Sequence, residues 1–292
     1  MPVTPLRAIP QHPIAGGLGL IAIGLFALAG DATDAFVFDA RAFEGESWRV
    51  LTATLVHGGL LHLGMNVYWL WTLGAPLEER MGSVPLGGLV LCTALGSALP
   101  QYALSGNAIG LSGVVYGLAG FLWLAGRHNP RYSGILSQRD ASFLLFWFGL
   151  CIALTAVPDT PLFRVANVAH GAGAVFGLLA AASATVGGWR RAGVFVGATA
   201  LLVLAGIGAT VARPQVNFSS SASREHLYLG SQAAERNDWE RAERHFRRAT
   251  EFRDVDPRAH YNLGVAQSRR GDTAAATTSF ARARELGLED SP

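Results

Sequence analysis

Seven apolar stretches dominate this chain, at 14–30, 59–77, 84–104, 112–126, 142–158, 165–186 and 192–212. Each is near the ~20 residues a helix needs to cross a bilayer, so the expected fold class is all-α, a polytopic membrane helical bundle. The stretch at 112–126 is short: at 1.5 Å per residue it covers ~22 Å of a ~30 Å hydrocarbon core. If its helix starts near Gly113, the outer end of that helix lies below the membrane surface. Charge splits the chain the same way. Residues 1–212 hold 10 Arg and 9 acids, whereas 213–292 hold 13 Arg and 12 acids in far fewer positions. A membrane part with a small polar appendix follows.

Arginine sets the expected orientation. With the N-terminus inside, the inner connections carry Arg7, Arg80, Arg127, Arg131, Arg139, Arg190 and Arg191. The outer ones up to 191 carry Arg41, Arg49 and Arg164, with six acids that include Asp34 and Asp159. That bias favours a cytoplasmic N-terminus, and seven spans then place the C-terminal part outside. Ala27-Leu28-Ala29 resembles a signal cleavage site, but the apolar run before it is long for a signal peptide and reads as a span.

Several chemistries are excluded. The net charge of +2 is balanced within each part, which leaves no basic face for nucleic acid. All 23 basic residues are Arg, so a Ser-Lys dyad, a Schiff-base lysine and a P-loop are absent. Cys92 and Cys151 lie in apolar runs and support neither a disulfide framework nor a thiolate metal site. No H-E-x-x-H occurs, and no Asp or Glu falls within the apolar stretches between 84 and 186. Zinc and aspartyl mechanisms are therefore unsupported, and no metal or cofactor is called for.

Polar residues at membrane depth are costly and point to function. His62 and Asn66 share a helical face by their spacing of four, as do Ser112 and Tyr116. His170 opens the sixth stretch. All three sets lie near the start of even-numbered spans, which run from outside to inside, so His62, Asn66, Ser112 and His170 fall at one depth near the outer face. Gly113 with Gly117, and Gly173 with Gly177, form two GxxxG faces on the fourth and sixth spans. Close approach of those helices is what a Ser–His hydrogen bond would need. Each residue alone has an ordinary reading: Ser112 bonding its own helix, Tyr116 packing, Asn66 bridging helices, His57 and His12 sitting in loops or at the interface. Together they form a nucleophile, a base and donors for an oxyanion. The expected site is a Ser112–His170 dyad, with the imidazole oriented against Tyr116, and with the Ser112 N–H, His62 and Asn66 facing the oxyanion.

The residues resemble the rhomboid family of intramembrane serine proteases from about Trp48-Arg49 to Ala182. The elements are Trp48-Arg49, His57 with His62 and Asn66, Glu78-Glu79-Arg80-Met81-Gly82, Gly110-Leu111-Ser112-Gly113, and His170-Gly171-Ala172-Gly173 with Gly177. The resemblance implies a six-helix core, here 1–191, with 192–212 as a seventh span. It implies Ser112 as nucleophile, His170 as general base, His62 and Asn66 at the oxyanion hole, and Tyr116, Gly110, Gly113 and Gly173 in support. The implied function is a serine endopeptidase that cuts single-span membrane proteins through an acyl-enzyme. The alternative is a catalytically silent rhomboid-fold protein that binds membrane clients or acts as an adaptor; the retained Ser–His pair argues against it. Composition and compact loops suggest a bacterial inner-membrane protein.

After a polar linker at 213–223, the chain repeats with a period of 34 over 224–288. Leu229-Gly230 recurs as Leu263-Gly264, Ala242 as Ala276, Phe246 as Phe280 and Ala249 as Ala283. The spacing resembles tetratricopeptide repeats, pairs of antiparallel helices. Small residues at 242 and 276 are expected to admit close helices, with each Phe filling the space between pairs. The expected role is to bind a protein partner.

Overall fold

The computed structural model describes residues 4–28, 30–156, 165–219, 221–252 and 256–288. Among them every regular element is helical, and the all-α expectation holds. Asp159 and Arg164, counted above among the outer charges, lie outside the described residues. The chain forms two compact units, one of 1–103 with 107–210 and one of 104–106 with 211–292.

In the first unit, α1 (Ala15–Leu28) is followed by short 3-10 turns and by α2 (Arg49–Thr52). Then come α3 (Leu60–Trp69) and α4 (Ala75–Met81), joined by a π-helical turn at Leu70–Gly74. The remaining helices are α5 (Ser83–Leu104), α6 (Ser112–His128), α7 (Gln138–Thr155), α8 (Asn167–Thr185) and α9 (Gly188–Ala209). By length and composition α5, α8 and α9 suffice to cross a membrane, and the pair Arg49–Leu55 with Leu60–Met81, bent by 98°, supplies a fourth candidate. Helix α1 is apolar but has 14 residues, and α6 has 17. Starting at Ser112, α6 spans about 25 Å, short of a ~30 Å core as its apolar run suggested.

Three places differ from expectation, one being the linker expected at 213–223, which holds a short helix at Arg213–Val216 and the start of another at Ser221. The stretch 59–77 is not one uniform helix, because the ladder widens to π geometry at Leu70–Gly74. Helix α7, on the fifth apolar stretch, begins at Gln138, four residues before its apolar run, since Ser137 accepts a hydrogen bond from the Asp140 N–H and caps it. Local polar capping extended a helix that hydropathy alone had trimmed.

Buried Glu78 fixes the start of α1. Its carboxylate accepts the N–H groups of Ile14 at 3.0 Å and Ala15 at 2.9 Å, an anion at a helix N-terminus. The loop before α2 is tied down by Arg49, which is buried and donates to the carbonyls of Asp34 (2.6 Å) and Val37 (3.0 Å). Arg41 bridges Asp34 and Asp39. Its guanidinium hydrogen-bonded to Asp34 holds that carboxyl below the usual range.

The second unit holds α10 (Arg213–Val216), α11 (Ser221–Glu235), α12 (Trp239–Ala249), α13 (Pro257–Arg269) and α14 (Thr273–Glu285). The last four form two helical hairpins. Asp238 and Asp272, 34 apart, cap α12 and α14 by accepting the N–H groups of Arg241 and Ala275. The connecting turns use left-handed backbone at Asn237 (φ 59°) and Gly271 (φ 88°), also 34 apart. The Phe side chains meet one expectation in part. Phe246 and Phe280 lie first on Gly230 and Gly264 of their own hairpins, where a Cβ would meet the ring at 2.5 Å and 2.7 Å. Phe246 also joins a buried cluster with Leu263 and Ala266 of the next hairpin. Each ring thus closes its own pair, and one of them reaches across.

Candidate active site

Three helix beginnings converge on one cavity of about 450 Å³. Its wall includes His62 and Asn66 from α3, Ser112 and Tyr116 from α6, and His170 from α8. The apolar side comes from Met65 and Trp69 of α3 and from Leu144, Trp147 and Leu150 of α7. The four polar groups that topology placed at one depth therefore line a single space.

Glycine brings α6 and α8 together. A Cβ at Gly173 would collide with the backbone carbonyl of Gly113, and one at Gly177 with that of Gly117. Gly120 likewise faces the carbonyl of Ala174. These are backbone-to-backbone contacts, which only glycine permits. Gly113 follows Ser112 directly and Gly173 lies one helical turn beyond His170, so the contact fixes both. Ser112 Oγ and His170 Nε2 are 2.8 Å apart, a hydrogen-bond distance. In the tautomer that carries its ring proton on Nδ1, Nε2 accepts from the hydroxyl. That Nδ1 is buried and meets no hydrogen-bond partner among the described residues.

Aromatic rings orient the imidazole instead. Tyr116 stacks on His170 with centroids 4.6 Å apart and planes 27° apart. Phe148 of α7 approaches the same ring edge-on at 6.1 Å. The Tyr116 hydroxyl donates to the Leu144 carbonyl at 3.0 Å, which holds the phenol face in place.

Facing the dyad, Asn66 donates one amide N–H to the His62 carbonyl at 3.0 Å and keeps a second. Ser112 is the first residue of α6, where backbone N–H groups have no intrahelical acceptor. Gly110 has φ +101°, and a Cβ there would lie 2.7 Å from His62 Nε2 and 3.3 Å from Asn66 Nδ2. The bend before Ser112 therefore passes directly over both side chains.

The positioning roles of two residues escaped the sequence, although His57 is among the residues that carry the resemblance. His57, set aside as a loop or interfacial residue, is buried. Its Nδ1–H donates to the Leu55 carbonyl at 3.1 Å, its Nε2 faces the Leu111 N–H at 3.4 Å, and its ring packs on His62. With the Gly110 N–H donating to the Ala53 carbonyl at 3.0 Å, it straps the loop before Ser112. Buried Gln101 of α5 accepts the Ala169 N–H at 3.0 Å and anchors the first turn of α8. Its placement beside apolar neighbours, at a depth where an amide needs a partner, was the available signal. Among the described residues no group of three or more His, Cys, Asp or Glu could hold a metal ion.

Comparison with known proteins bears on this same stretch. Residues 44–186 match the Rhomboid domain family. Rhomboid protease GlpG of Klebsiella pneumoniae (strain ATCC 700721 / MGH 78578) is 38% identical over 148 residues, covering 50% of this chain and 52% of its own. That of Serratia proteamaculans (strain 568) is 38% identical over 135 residues, 46% and 47% of the two chains. That of Enterobacter sp. (strain 638) is 37% identical over 152 residues, 51% and 53%. The chain spans about half the length of these curated relatives. Residues 44–186, the stretch that matches the Rhomboid domain, contain every polar group of the cavity wall.

Proposed function

We propose that this protein is an intramembrane serine endopeptidase that cleaves single-span membrane proteins through a Ser112–His170 dyad. The observation that carries the reading is the 2.8 Å Ser112–His170 hydrogen bond at the wall of a cavity of about 450 Å³. Ser112 Oγ attacks the scissile carbonyl while its proton passes to His170 Nε2. The resulting imidazolium rests on the face of Tyr116, whose quadrupole favours the cation in place of a carboxylate. The Ser112 N–H, His62 and the second Asn66 N–H stabilise the oxyanion. His170 then protonates the departing amine, and water releases the acyl group by the reverse proton path. A short α6 leaves room for that water above Ser112. The Rhomboid domain match over 44–186 and the resemblance to GlpG proteases support the same chemistry.

In this reading the N-terminus is cytoplasmic in a bacterial inner membrane. The two hairpins are tetratricopeptide-like, lie outside, and bind a protein partner. Reconstitution with a single-span reporter, with products read by mass spectrometry, tests the core of it. Cleavage near the outer end of the reporter helix by wild type, and by neither Ser112→Ala nor His170→Ala, is expected. Equal cleavage by all three places the chemistry elsewhere. No cleavage by wild type across reporters favours a silent client-binding scaffold.

A further inference from the structure

Helix α7 forms much of the apolar cavity wall, yet only Leu144 and Cys151 of its eighteen residues are buried. Phe143 of α7 stacks on Trp69 of α3, and two hydrogen-bonded ties from α7 reach the surroundings of His170. One is the Tyr116 hydroxyl on the Leu144 carbonyl. Another is Asn167, one turn before His170 on α8. Its Nδ2 donates to Thr155 Oγ1 at 3.0 Å and to the Cys151 carbonyl at 3.4 Å. The hydrogen-bond directions are fixed. Thr155 gives its own proton to the Cys151 carbonyl at 2.7 Å, so its oxygen has only lone pairs left to offer Asn167. The three groups close a small triangle between the end of α7 and the start of α8.

We infer that Asn167 and Thr155 act as positioning residues that hold α7 in register with α8, keeping Tyr116 and Phe148 closed on His170. The inference rests on the dyad reading above and adds a consequence to it. The imidazole has no hydrogen-bond partner on Nδ1 among the described residues, so ring contacts set its orientation. Phe148 belongs to α7, and Tyr116 is anchored to α7. A slide or tilt of α7 therefore loosens both contacts at once. The Asn167–Thr155 latch stands between that motion and the base, without touching substrate or reacting atoms.

The test uses the full chain in liposomes with a single-span reporter, and measures in parallel the rate at which a serine-reactive phosphonate labels Ser112. Asn167→Ala and the near-isosteric Thr155→Val each lower kcat roughly tenfold with KM unchanged, because a misplaced base slows chemistry rather than binding. Phosphonate labelling slows by the same factor. The double variant is no worse than either single one, since both remove the same tie. Thr155→Ser keeps the hydroxyl and behaves as wild type. Faster cleavage, a change in KM alone, additive losses, or variants equal to wild type would each overturn the latch. A wild type that neither cleaves nor labels would overturn the protease reading instead, which separates the two failures.

Discussion

Glycine is used in different ways at two helix contacts, one in each compact unit. Between α6 and α8, Gly173 and Gly177 face the backbone carbonyls of Gly113 and Gly117. In the hairpins, Gly230 and Gly264 face the rings of Phe246 and Phe280. A carbonyl held in a helix cannot yield, whereas a ring at the end of a side chain can turn aside. The membrane unit has thus brought Ser112 and His170 together on an interface without slack, where one methyl group displaces two helix axes. The hairpins rest instead on an interface that can re-pack. The first arrangement suits the 2.8 Å contact between Ser112 and His170. The second suits a surface that only has to keep its shape.

The largest effect is expected at that rigid contact. Gly173→Val should cost about 3 kcal/mol or more in stability. It should also abolish phosphonate labelling of Ser112, because the Gly113 and Gly173 backbones adjoin the dyad. Labelling at the wild-type rate would show that α6 and α8 can yield, and the contrast would fail. Gly230→Ala is the matching change in the hairpins. It should cost about 1–3 kcal/mol in the tail and leave the labelling rate unaltered. A tail that no longer folds would show its glycine contact to be as rigid as the other.

The smallest effect concerns acid. Burial alone would raise Glu243, yet hydrogen bonds from Arg247 and Arg270 hold its carboxyl below the ordinary value of 4.5. In Asp256 the Arg258 hydrogen bond has the same effect against an ordinary value of 3.8. Both folded values are depressed, so the stabilisation is complete above the unfolded values and lost as the pH falls through the folded ones. Tail helicity followed by circular dichroism should begin to lose thermal stability below about pH 4.5. Stability that rises on acidification would contradict these ion pairs.

Much of the site was legible because its members share a local pattern. His62 and Asn66, four apart, and the Gly113/Gly117 and Gly173/Gly177 pairs announce faces through helical period alone. Arginine bias and hydropathy then brought Ser112 and His170 to one depth. What escaped depends on contacts between distant segments. His57 reaches Leu111 across 54 positions and Gln101 reaches Ala169 across 68. No period connects them, so neither the amide of Gln101 among apolar neighbours nor His57 beside His62 announces which residue it holds. The π turn at Leu70–Gly74 has no compositional mark either, since its residues suit any apolar helix. In the hairpins the repeat identified Gly230 and Phe246 as special, but whether the ring closed its own pair or the next was a matter of packing.

The central claim is that Ser112 is a nucleophile made reactive by His170. Intact-protein and peptide mass spectrometry after treatment with a serine-reactive phosphonate tests it without any choice of substrate. A single adduct is expected, located at Ser112, that forms in wild type and is lost in His170→Ala. An adduct that forms equally fast without His170, or none at Ser112 in the folded protein, would contradict it.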